Sequence, residues 1–289
     1  MRITKECFTR VTGVAPKPES VWERQFDYND EDLVRLARTD WDKIADEDLW
    51  YYFHDLAYVE LQPELFRHMF PACLKYWYET LMRGEDATRG DADFHYGLLQ
   101  GRILERMLSP AQNQALLEFF RHGFLDRIES QGNFAGEGDM AHHWIYRFNS
   151  LGVVAPVVQA IWEPWWSLDH SCKAICALMY ASGLIYLRGE NPIYPDHDGG
   201  GPYLTEQEGY LYDWAWRLDN LGFLRKTLSV DYVCAKVEQA AAALADHSAA
   251  AVAQRIAGDA RSRTDVIAIR IEDLVESLGK IASERMAWE

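Results

Sequence analysis

Apolar positions recur along this chain at helical spacing. Between Asp46 and Glu60, Leu49, Trp50, Phe53, Leu56 and Ala57 fall at i, i+1, i+4, i+7 and i+8, one face of a helix. Tyr96, Leu99, Ile103 and Met107 continue the same period, as do Leu117, Phe120, Phe124 and Ile128. Towards the C-terminus, Val230, Val233, Cys234, Val237, Ala241 and Leu244 form one stripe, and Ala249, Val252, Ala253 and Ile256 a second. Ile267, Ile271, Leu274, Leu278 and Ile281 form a heptad-like seam. Residues 266–271 also alternate weakly like a strand, but the longer helical period prevails. Strand patterns are weak throughout, and no period of 20–50 residues marks a repeat array. The expected fold is all-α: a bundle-like main body over residues 1–228, with a C-terminal subregion of antiparallel helices over 229–289.

Proline, glycine and capping residues punctuate that pattern. Residues 1–28, with Pro16 and Pro18, read as irregular. Pro63 suits the first turn of a helix, whereas Pro71 predicts a kink or break near Phe70. Ser109-Pro110 reads as a cap followed by proline at the first helical position. Residues 130–140, rich in glycine and polar residues, mark a loop or boundary. Helices are expected near 141–149, 154–162, 170–188 and 205–225, with a Gly/Pro-rich loop over 189–203. Asp169, Ser229 and Asp246 are expected N-caps.

Charge narrows the functional classes. The 289 residues carry 29 Lys+Arg and 45 Asp+Glu, a formal net charge of -16. That balance argues against phosphate-backbone binding, and so against nucleic acid, and against adsorption to anionic membranes. No apolar run approaches the length of a membrane span, and Met1 to Arg10 hold no secretory apolar segment. Five scattered cysteines (Cys7, Cys73, Cys172, Cys176, Cys234) fit reduced thiols and a cytoplasmic location. Half of the charge is local. Eleven acids and three bases fall between Asp27 and Glu60, a window of -8. Asp30-Glu31-Asp32 and Asp46-Glu47-Asp48 each precede a helical pattern, where carboxylates complement the helix dipole. With Asp42 they also form an expected acidic face for a basic protein.

Catalytic signatures fail one by one. His54-Asp55 lacks the upstream histidine that a metal-phosphohydrolase site of that type needs, since His54 is the first histidine in the chain. Asn29 to Asp32 and the pair Asp91 and Asp93 lack the spacing of a diphosphate-binding magnesium site. His142 and His143 are adjacent and point about 100° apart on a helix, which disfavours a shared metal. Cys172 and Cys176 share a helix face, but no second ligand pair completes a zinc site. No nucleophile elbow, His-Glu-x-x-His or phosphate loop occurs. No metal and no cofactor are therefore expected. Asp196-His197-Asp198, followed by three glycines, is the most suggestive loop.

Six of eleven tryptophans lie between residues 141 and 216. They build either core or a cleft. The cleft reading groups His142, His143, Trp165, Trp166, Asp169, His170, Asp196, His197 and Asp198 in an enzyme that is metal-assisted or uses carboxylates alone. The primary expectation is a non-catalytic binding or inhibitory protein, of the immunity or antitoxin type, docking a basic partner. The C-terminal seam offers a surface for self-association as readily as for packing within one chain.

Overall fold

The computed structural model describes residues 3, 5–13, 15, 17–18, 30–49, 52–53, 62–84, 94–95, 97–99, 101–134, 143–187, 189–194 and 215–285. The chain is all-α, and every regular element among the described residues is helical. It divides into two compact units, Met1–Gly123 and Phe124–Glu289. None of the described helices is long and apolar enough to cross a membrane.

The first unit is built on a 21-residue helix, α3 (Pro63–Arg83), against which α1 (Lys5–Thr12), α2 (Asp30–Arg38) and a 3-10 turn (Trp41–Lys43) pack. Leu65, Phe66, Met69, Phe70, Cys73, Leu74 and Trp77 of α3 are buried, which is a wide apolar stripe. The break expected at Pro71 does not occur. Proline removes one intrahelical hydrogen bond, while buried side chains before and after it keep the helix continuous from Pro63 to Arg83. Gly84 ends the helix at φ 70°, donating its N–H to the Leu81 carbonyl, a conformation that favours glycine.

Within the N-terminal stretch expected to be irregular, Lys5–Thr12 form a helix. In α1, Phe8, Val11 and Thr12 are buried at i, i+3 and i+4, and Phe8 meets Trp41 and Phe119 edge to face. Eight residues are too few to be helical alone, so tertiary packing stabilises α1. The period running from Tyr96 to Met107 is interrupted. Leu98 and Ile103 are buried, but Arg102 adopts φ 47°, and Ile103–Met107 form a π-helical turn. Gly97 and Gly101 lower helix propensity there. Trp77 donates its indole N–H to His95 Nε2 at 3.0 Å inside a cluster with Phe94, Phe119 and Phe120.

α4 (Pro110–Ser130) contains the boundary between the units. Its start is a reciprocal cap. The Gln112 N–H donates to Ser109 Oγ, and Gln112 Oε1 accepts from the Ser109 N–H at 3.0 Å.

The second unit is organised by α7 (Ser171–Ile185), whose residues from Lys173 onward are all buried. A helix that is apolar on every side belongs in the middle. α9 (Val230–Ala243), α10 (Ala250–Ser262) and α11 (Thr264–Arg285) pack on it. Small residues on α7 (Ala174, Ala177, Ala181) and on α10 (Ala253, Ala257, Ala260) allow close approach. Ser229 caps α9 by accepting the Tyr232 N–H. Asp246 caps nothing. Ala249 precedes α10, and its N–H donates to His247 Nδ1. Ile267 and Leu274 of the heptad-like seam are buried within their own chain.

The remaining helices are α5 (His143–Val154), α6 (Val158–Trp165) and α8 (Leu218–Thr227). Asn220 of α8 ties them together. Its Nδ2 donates to the carbonyls of Gly152 and Ala155, and its Oδ1 accepts the Val158 N–H. Residues 205–214, expected to be helical, and most of the 189–203 loop lie outside the described residues.

Cys73 and Cys176 are almost fully buried, and burial pushes both thiols up. Only the thiolate is nucleophilic. Alkylation of the folded chain is therefore expected to spare these two and to reach the half-buried Cys7 and Cys172 first. Peptide mapping after brief iodoacetamide treatment checks this.

Candidate functional site

The acidic segment folds into α2, the 3-10 turn and a helical turn at 46–49. Asp30 opens α2, with Glu31 and Asp32 in its first turn, as helix-dipole electrostatics favours. Most carboxylates here have partners. Arg35 holds Asp48 with two hydrogen bonds of 2.7 and 2.8 Å and reaches Asp32 at 3.5 Å. Lys5 binds Asp42 at 2.5 Å, Arg83 binds Asp46 at 3.3 Å, and Lys17 and Lys43 bracket Asp40 at 3.0 and 2.8 Å. Glu31 and Glu47 are exposed and make no ion pair among the described residues.

Sequence reading missed the cations. Lys5, Lys17 and Arg83 lie outside the window whose charge was counted, and only the fold delivers them. Arg35 lay inside it, three residues from Asp32, but its bidentate partner Asp48 had no local signal.

The two flanking lysines, Lys43 before Lys17, lower the Asp40 carboxyl to about 2. Lys5 likewise holds Asp42 below the usual carboxylate range. A depressed folded value stabilises the fold above the unfolded value of about 3.9. That contribution disappears as pH falls through the folded value. Carboxyl titration by NMR is expected to give Asp40 a midpoint near 2, and an ordinary midpoint once Lys17 and Lys43 are both replaced by methionine.

The aromatic segment resolves into core. Trp144, Trp162, Trp165, Trp166 and Trp216 are each at most 2% exposed. Trp162 stacks on Trp166 at 4.7 Å, and Phe148 and Tyr180 meet the cluster edge to face. The indoles proposed as cleft walls therefore have no free face, because rings from α5, α6 and α7 cover one another.

Asp169 and His170 do sit beside Trp165 and Trp166, at the α6–α7 junction. Both are exposed. His170, not Asp169, is the N-cap residue of α7, and its side chain makes no cap hydrogen bond. Asp169 instead pairs with the buried Lys173 at 2.7 Å, which holds its carboxyl below the usual range. The i, i+4 spacing of that pair was legible in sequence. Lys236 was not: it comes from α9 and donates to the Trp166 carbonyl at 2.8 Å. Ser167 Oγ donates to the Pro164 carbonyl. These contacts clamp a tight turn in which Leu168 adopts φ 58°, a conformation costing an L-residue about 1–2 kcal/mol.

His143 opens α5. His142, Asp196, His197 and Asp198 lie outside the described residues, as do His54 and Asp55. Among the described residues, no three His, Cys, Asp or Glu side chains are grouped to hold a metal ion. At the α6–α7 junction Lys173 Nζ, paired with Asp169, also donates to Ser167 Oγ at 3.5 Å.

Geometry thus defines an all-α protein with an acidic, ion-paired surface on its first unit and a tryptophan core in its second. The chain matches no protein-family model, no curated protein and no solved structure.

Proposed function

We propose that the chain is a non-catalytic binding protein that docks a basic protein through the surface of residues 31–48. Its setting would be cytoplasmic and its role that of an immunity or antitoxin-type inhibitor. The supporting observation is the pair Glu31 and Glu47, exposed and without ion-pair partners among the described residues. Glu31 lies one helical turn before Arg35, and Glu47 is next to Asp48, the carboxylate that Arg35 grips. Around them, Asp32, Asp40, Asp42 and Asp46 are held by cations that are themselves about half exposed. Surface ion pairs contribute only about 0–1 kcal/mol each. Lysines and arginines of a partner can therefore exchange with the chain's own cations at small cost.

The test is co-purification with a tagged chain, identification of the partner by mass spectrometry, and calorimetry with the isolated partner at low and high ionic strength. A basic partner whose affinity falls with salt is expected. The double variant E31Q/E47Q leaves every observed ion pair intact. It is expected to weaken binding about two- to thirtyfold, at about 0.2–1 kcal/mol per lost charge contact, without changing the melting temperature. Affinity indifferent to both salt and this double substitution overturns the proposal.

A further inference from the structure

We draw no further inference here: the strongest candidate, the buried cluster of Trp144, Trp165 and Trp166 whose indole N–H groups find no acceptor among the described residues, packs ring against ring, and nothing in the structure shows a space where a ligand would meet those donors.

Discussion

Replacing Gly152 with alanine or valine is expected to cause the largest loss of stability of any such change at the described glycines of the second unit. A Cβ built at Gly152 would lie 2.5 to 2.8 Å from three atoms of the Trp216 indole. Real Cβ atoms do not come so close, so the ring or the helix must move. The ring has little freedom. It is 1% exposed, its Nε1 donates to the Asn149 carbonyl at 2.8 Å, and Phe148 packs against it edge to face. The backbone is pinned as well: the Trp216 N–H donates to the Leu278 carbonyl and the Arg217 N–H to that of Gly152 itself. Overpacking a tight core costs about 1–3 kcal/mol, and valine should exceed alanine. At roughly 2–4 °C per kcal/mol for a unit of this size, G152A is expected to lower the melting temperature by several degrees. Gly258 supplies the control. It lies inside α10, and a methyl group added there would meet nothing within 4 Å, so G258A is expected to raise stability by about 0.5–1 kcal/mol. Opposite shifts in a thermal melt confirm the packing argument. An unchanged melting temperature for G152A refutes it.

Asn220→Ala is expected to cost about 1–3 kcal/mol by a different route. Asn220 is 3% exposed and makes three hydrogen bonds, two of 2.8 Å to carbonyls at the end of α5 and one of 3.3 Å from the first N–H of α6. The Gly152 carbonyl keeps the Arg217 N–H as a donor. The Ala155 carbonyl likewise keeps the Val157 N–H, so the Val158 N–H is the group left without its partner, and a buried polar group left unpaired costs about 1–3 kcal/mol. Asn220→Asp separates hydrogen bonding from size. Its carboxylate still accepts from Val158, but an oxygen would replace the donor facing two carbonyls. The aspartate variant is therefore expected to be less stable than the alanine variant at neutral pH. Acidification should narrow the gap, since a protonated carboxyl can donate once. Denaturant unfolding of both variants across pH checks the order. Equal stability of Asn220→Ala and the unaltered chain would show that α5 and α6 hold together without this side chain.

Helical periodicity carried most of the fold. The C-terminal helices and the caps at Ser109 and Ser229 were legible because each depends on residues within one or two turns. The errors lie where distant contacts prevail over local preference. Lys5–Thr12 is helical because Phe8 and Val11 find a core, and the helix runs through Pro71 because both flanks are buried. Asp169 satisfied the local rule for an N-cap, yet Lys173 took its carboxylate. At the aromatic segment, composition favoured core and left a cleft as the alternative. Burial places the five described tryptophans of this segment in core.

What the sequence determined by itself was the all-α class, which follows from apolar residues spaced every three or four positions, and the total charge of -16. What only the tertiary structure decided was how that charge is presented. The window from Asp27 to Glu60 counts -8 along the chain. In space, Lys5, Lys17 and Arg83 enter it, and Arg35 closes on Asp48 thirteen residues away. Electrostatic energy depends on distance through space, and charges far apart in sequence come within 4 Å only once helices pack. Folding thus turns a net-acidic stretch into a field of surface ion pairs, with Glu31 and Glu47 left exposed among them.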